Sequence, residues 1–155
     1  MTEQFYVQQR GFHNIYNDDG TIWGFQFKMC TLYYKGLWLS QLRVGDAIVD
    51  GKVYPKETLL WNIQGIDYTR EEMYDKMDQY WQTADTAIVK VPCPGGLAQG
   101  YHTVEIQFGW ICNYNAAQES DPNGNTLGIM GPYCALSGGG NGGPHPTERK
   151  LLLVW

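Results

Sequence analysis

The side chains best suited to proton transfer or metal binding are the three histidines, His13, His102 and His145. Imidazole titrates close to neutrality, and a metal or catalytic site built on it needs partners at helical i,i+4 positions or in a ligand-like spacing. None of the three has such a partner in the sequence. His102 opens a strand pattern just after a glycine turn, and its expected role is a hydrogen bond that fixes that turn. His145 lies between Pro144 and Pro146 on a glycine-rich stretch. It is either an inert loop side chain or, on a stiff Pro-His-Pro unit, a group able to reach into a neighbour's cleft.

Other reaction chemistries have less support. There is no G-x-S-x-G elbow, and Ser40, Ser120 and Ser137 have no motif around them. Paired carboxylates would suit a glycosidase, but Asp18-Asp19 falls in a hairpin turn and Glu71-Glu72 at a helix start. The glycine pair Gly95-Gly96 and the run Gly138–Gly143 lack the Gly-Lys-Ser/Thr ending of a phosphate loop. The four cysteines, Cys30, Cys93, Cys112 and Cys134, form no C-x-x-C pair, so no zinc site is indicated. Cys30 and Cys112 close strand patterns and read as core filling. The remaining candidate is aromatic. Tyr33-Tyr34-Lys35-Gly36-Leu37-Trp38 puts large rings on both sides of one segment, and only one side can face a core. The other side carries a lone exposed ring, a sugar-stacking platform or an anchor at a protein interface.

The elements that must position these groups are strands. Val104, Ile106, Phe108, Trp110 and Cys112 alternate with Thr103, Glu105, Gln107 and Gly109, which predicts a long strand over 103–114 with one buried face. Phe5–Arg10 is a first strand. Asn17-Asp18-Asp19-Gly20 joins Phe12–Tyr16 to Ile22–Cys30 as a hairpin, with Trp23, Phe25, Phe27 and Met29 on one face. Leu37–Ile48 carries further strand with a bend or bulge at Gly45-Asp46, and Asp50-Gly51 is a second hairpin turn. Leu59, Trp61 and Ile63 mark another strand. Ala87, Val89 and Val91 mark the next, stopped by Pro92 and Pro94. One helix interrupts them. Thr69 and Glu72 form a capping box, Tyr68 and Met73 a staple, and Met73 and Met77 share a face that covers an end of the β structure. The expected fold is an all-β antiparallel sandwich with one short helix and a long glycine-rich C-terminal excursion. It forms a single domain over 1–155, with its core at about 5–114, an extended loop region at 115–150 and a terminal strand or docking segment at 151–155.

At 155 residues the chain is long enough to bury a core. Its net charge of −5, with 11 scattered Lys and Arg, argues against nucleic acid. No apolar run approaches the roughly 18 residues of a membrane span, and Met1-Thr2-Glu3-Gln4 lacks the regions of a secretory signal. A cytoplasmic protein with free thiols is expected. Charged residues make up 17% and aromatic ones 14%. That balance fits either an ordinary β protein or a surface largely covered by a partner.

Taken together, the motifs Gly11-Phe12, Gly24-Phe25-Gln26-Phe27, Tyr33-Tyr34-Lys35-Gly36-Leu37 with Leu39-Ser40, Val49-Asp50-Gly51-Lys52, Tyr68-Thr69, Trp81 and Pro94-Gly95-Gly96-Leu97 with Gly100 and His102 give a recognisable order and spacing. Over about residues 10–114 the chain resembles the β (small) subunit of bacterial C-glycoside deglycosidases. Lys35 stands where the family leads one to expect arginine, which keeps the charge but loses the planar fork. The stretch 115–155 reads as longer than the resemblance leads one to expect. The resemblance implies a β-sandwich assembled with a larger α subunit, itself similar to a sugar-phosphate isomerase barrel, in a higher hetero-oligomer. The α subunit is expected to hold the catalytic bases and a divalent metal, usually manganese; this chain is expected to bind no cofactor or metal. The implied reaction cleaves the carbon–carbon bond between a 3-oxo-glucosyl group and a flavonoid-type aglycone, with the metal as Lewis acid.

On this reading the chain has no catalytic residues and is inactive alone. Tyr33, Tyr34, Lys35, Trp38 and His145, with the 131–146 excursion, form the partner interface, while Gly95, Gly96, Gly100 and His102 form a structural motif. A carbohydrate-binding β-sandwich module is the alternative, using the same aromatics as a stacking face. A stand-alone enzyme is a third class, against which the residue census speaks.

Overall fold

The computed structural model describes residues 6–30, 36–82, 85–111, 129–130 and 148–154. Two antiparallel sheets face each other. The first has the order β1-β2-β9-β6-β7, built from β1 (His13–Tyr16), β2 (Ile22–Met29), β9 (Ala87–Pro92), β6 (Leu60–Ile63) and β7 (Ile66–Tyr68). The second runs β11-β10-β4-β5, from β11 (Ile129–Met130), β10 (Gly100–Ile111), β4 (Leu42–Val49) and β5 (Lys52–Tyr54). A further strand, β12 (Glu148–Leu153), pairs with the first half of β10, from Gly100↔Leu153 to Glu105↔Glu148. A two-stranded ladder, β3 (Leu37–Trp38) with β8 (Tyr80–Trp81), stands apart, and α1 (Arg70–Tyr74) is the one α-helix among the described residues.

The period-two patterns dictate the core. Phe25, Phe27 and Met29 of β2, Val89 and Val91 of β9, and Trp61 and Ile63 of β6 turn inward from the first sheet. Val104, Ile106 and Phe108 of β10, Ala47 and Val49 of β4, and Leu151 and Leu153 of β12 meet them from the second. All belong to one buried cluster. Edge-to-face rings stitch the sheets together: Phe25 meets Tyr54 with centroids 5.3 Å apart, and Tyr6 meets Phe108 at 4.9 Å. Such pairs add about 0.5–1.5 kcal/mol to the burial of the rings themselves.

Turn chemistry sets the register. Asp50 and Gly51 have φ of 52° and 84°, the pair of positive values that a two-residue hairpin between β4 and β5 requires. The bulge at Gly45-Asp46 is present: Ala47 faces Ile106 and Val44 faces Phe108, so two residues of β4 oppose Gln107 alone. The capping box also forms. The Thr69 amide donates to Glu72 Oε1 at 3.0 Å and the Glu72 amide donates to Thr69 Oγ1 at 3.2 Å.

Several local expectations change. The strand over Leu37–Ile48 comes in two pieces, β3 and β4. After Trp38 a 3₁₀ turn at Leu39–Gln41 redirects the chain, held by the Leu39 amide on Gln79 O and the Ser40 amide on Lys76 O. Leu37 and Leu39 are both buried, so the apolar alternation runs unbroken through the bend. The helix stops at Tyr74, with Asp75 at its end. Met77 therefore leaves the Met73 face and is 77% exposed. Residues 6–10 make a bridge at Val7↔Met29 rather than a strand. The β6–β7 hairpin was not read from the sequence; it turns on Gln64 and Gly65, with φ of 55° and 85°.

Candidate functional site

Two constellations bring chemistry-bearing side chains together. The first surrounds the crossover from β9 in one sheet to β10 in the other. Cys93-Pro94-Gly95-Gly96 is a β-turn closed by the Gly96 amide on Cys93 O at 2.7 Å. Proline occupies its second position and Gly95, with φ of 86°, its third, as a type II turn demands. The next residue, Leu97, is gripped by a side chain from β1. Asn14 Nδ2 donates to Leu97 O at 3.0 Å, and the Leu97 amide donates to Asn14 Oδ1 at 2.9 Å. Asn14 is buried and so imitates one rung of a β ladder where no strand exists. This grip requires Gly96. A Cβ there would stand 2.5 Å from Asn14 Oδ1 and 2.7 Å from Ile22 Cγ2, on a backbone with φ of 67°.

His102 lies a few residues further on. Its Nε2 meets Ala98 O at 2.7 Å and its Nδ1 meets Asp50 Oδ2 at 2.5 Å. The other Asp50 oxygen accepts from the Thr103 amide at 2.9 Å, and the Asp50 amide donates to Thr103 O at 3.0 Å. The Phe12 ring covers His102 edge-on, with centroids 5.9 Å apart. Burial works to lower the His102 pKa, yet its hydrogen bonds to Ala98 and Asp50 and the Asp50 charge outweigh it and raise the value. The His102 hydrogen bond in turn holds the Asp50 carboxyl below its ordinary range. Nearby, burial and the hydrogen bond to Cys93 push the Tyr54 hydroxyl up to about 12.

The second constellation is aromatic and lies around β3, β8 and α1. Trp38 is 42% exposed and packs edge-to-face on Tyr80, its partner in the ladder, with centroids 4.9 Å apart and planes at 68°. Gly36 permits the ladder, since a Cβ there would stand 2.5 Å from Trp81 O and from the Tyr80 ring. The helix packs on the 3₁₀ turn and on β4. There the buried Arg43 donates to Ser40 O and Leu42 O, both at 2.9 Å, and its guanidinium stands 4.2 Å over the Tyr74 ring. Arg70, Glu71, Tyr74 and Asp75 line a small hollow beside α1.

Of the residues singled out in the sequence, Gly95, Gly96, Gly100 and His102 come together at the crossover, and Trp38 stands at the aromatic ladder. Tyr33, Tyr34, Lys35 and His145 lie outside the described residues, as do Cys112, Cys134 and the glycine-rich run. Asn14, Asp50 as a carboxylate partner, and Arg43 were missed. The signal for Asn14 is an amide at a strand position whose neighbours demand burial; for Arg43 and Asp50 the sequence offers none. Among the described residues no three His, Cys, Asp or Glu side chains converge as a metal site would need, and no helix is long and apolar enough to cross a membrane.

The fold and these constellations thus define an all-β protein whose most ordered chemistry secures turns and displays an aromatic ladder. Comparison with known proteins gives the family. Residues 2–114 match the model of the C-glycoside deglycosidase beta subunit family. The C-glycoside deglycosidase beta subunit of Eubacterium cellulosolvens is 39% identical over 155 residues, covering 98% of this chain and 99% of that protein. Beta subunits of the same name from Microbacterium trichothecenolyticum and Arthrobacter globiformis are 30% identical over 57 residues and 33% over 60. These cover 37% and 39% of this chain and 44% and 46% of the relatives. The chain belongs to the C-glycoside deglycosidase beta subunit family, and a beta subunit by that name works with an alpha partner.

Proposed function

We propose that this chain is the non-catalytic scaffold of a cytoplasmic C-glycoside deglycosidase, docking on an alpha subunit and shaping its cleft. The alpha subunit holds a divalent metal, manganese, and the bases that remove the C2 proton of a 3-oxo-glucosyl group. The neighbouring ketone acidifies that proton; on its loss the freed electron pair forms a C1–C2 double bond, the C1–aglycone bond breaks, and the departing aromatic carbon takes up a proton in place of the bond. Family membership supports this reading.

One observation carries the docking reading: the half-exposed Trp38, held rigid by Tyr80 and by the ladder to β8. Tryptophan and tyrosine braced in this way are the side chains that dominate binding energy at protein interfaces. The same geometry speaks against a sugar-stacking face, because rings at 68° to one another offer no common plane. The test is co-expression with the alpha subunit. Trp38→Ala is expected to weaken assembly about thirtyfold, the size of a hot-spot loss of about 2 kcal/mol, while the lost pair with Tyr80 lowers the thermal midpoint of this chain by about 1–6 °C. Unaltered assembly and turnover would remove Trp38 from the interface. The chain purified alone is expected to cleave no C-glycoside with or without manganese.

A further inference from the structure

Both ring nitrogens of His102 face atoms that only accept hydrogen bonds: the carbonyl oxygen of Ala98 and a carboxylate oxygen of Asp50. A neutral imidazole carries one N–H, so it satisfies one of these contacts and turns a lone pair toward the other. The imidazolium, with two N–H groups, satisfies both. We propose that His102 is a proton-operated clamp: protonated, it ties the Ala98–Gly100 end of the β9–β10 crossover to the β4–β5 turn, and on losing a proton it lets the Ala98 carbonyl go.

The surroundings decide which contact breaks. Asp50 is fixed without the histidine, since its second oxygen and its amide are both bonded to Thr103. Its negative charge keeps the last proton on Nδ1, so the bond to Ala98 is the one lost. On the other side Leu97 stays anchored, because Asn14 holds it through two hydrogen bonds that do not titrate. The released segment is therefore short: Ala98 and Gln99, because Gly100, with φ of 126°, already pairs with Leu153 of β12. Phe12 packs edge-on against the His102 ring, and Leu151 of β12 stands opposite in the ladder. Among the described residues Asp50 is the ionisable group that faces the ring. Tyr54, on β5, responds to Asp50 but belongs to the Cys93 contact. The His102 side chain is only 12% exposed, which protects the clamp from competing water while the Ala98 end of it stays at the surface.

The experiment is amide hydrogen exchange on the full chain between pH 5.5 and 9, corrected for intrinsic rates, together with the His102 ring resonances followed by NMR. Protection in a peptide spanning 97–101 is expected to fall about tenfold, the worth of one charge-assisted hydrogen bond. The fall should track the His102 titration, with a midpoint above that of free histidine. Protection of the 60–68 hairpin should not follow it. His102→Gln should make the 97–101 peptide exchange at a rate independent of pH. Should that variant fail to fold, the wild-type titration still decides. A flat profile in the wild type, or a His102 midpoint at or below that of free histidine, would overturn the proposal.

Discussion

Replacing Gly96 with alanine separates the two ways a glycine can matter. At Gly96 and at Gly95 the backbone lies in the left-handed region, with φ of 67° and 86°. An alanine at either pays about 1–2 kcal/mol for that conformation. The two sites differ in what surrounds them. A Cβ on Gly95 meets nothing within 4 Å, whereas one on Gly96 collides with the Asn14 amide at 2.5 Å. Asn14 must then move, and its two bonds to Leu97 go with it. Each is worth about 1 kcal/mol, and a buried amide left unpaired adds a further cost. Gly96→Ala should therefore lose about 3–5 kcal/mol and Gly95→Ala about 1–2. For a chain of this size that is a fall in thermal midpoint of about 6–20 °C against about 2–8 °C. Urea unfolding of wild type, both alanine variants, Asn14→Ala and the Gly96→Ala/Asn14→Ala double variant measures the difference. The double variant should cost clearly less than the two single changes added together, because both break the same contact. Equal losses at Gly95 and Gly96, or strict additivity with Asn14→Ala, would refute the claim that this glycine serves the asparagine.

Three further outcomes follow from the same structure. Thr69→Ala removes one half of the capping box and should lower stability by about 1 kcal/mol, read as a shift of about 2–4 °C in melting. Phe27→Ala empties a fully buried site between the sheets and should cost about 3–5 kcal/mol in urea unfolding, with assembly lost in parallel. The Asp50–His102 pair should give stability a two-sided pH dependence. The histidine's raised folded value makes its contribution complete below about pH 6.5 and lost as pH rises through the folded pKa. The carboxylate's lowered value makes its contribution complete above about pH 4 and lost as pH falls through the folded pKa. Unfolding midpoints measured across pH should peak between those limits, and His102→Gln should flatten both flanks.

The strands were legible wherever one face of a strand is dry. Phe25, Phe27 and Met29, or Val104, Ile106 and Phe108, announce their side of the sheet by alternation alone. The Asp50-Gly51 turn and the Thr69 box were legible because their chemistry is local. Pattern reading failed at Leu37–Leu39, where a bend leaves the alternation intact, and at Gln64-Gly65, where a non-glycine residue takes a positive φ. The crossover was half legible. Glycines and a histidine stand together in the sequence, but the partners that explain them do not. Asn14 lies 83 positions from Leu97, and Asp50 lies 52 positions from His102. No periodicity carries such information, because it arises only when the two sheets have closed on each other.

That closure explains why these residue types occur together. The chain leaves the first sheet after Gly95, whose amide still donates to Ile22 O, and joins the second at Gly100, so Leu97 to Gln99 between them have no ladder of their own. Buried backbone groups in that position need side-chain partners or water. Asn14 supplies them from the first sheet and His102, backed by Asp50, from the second. The two anchors differ in kind: an amide cannot titrate, whereas an imidazole can. The crossover thus has one fixed end and one end whose hold depends on a proton. Removing Asn14 should loosen the loop at every pH, and removing His102 should loosen it only where the ring was charged.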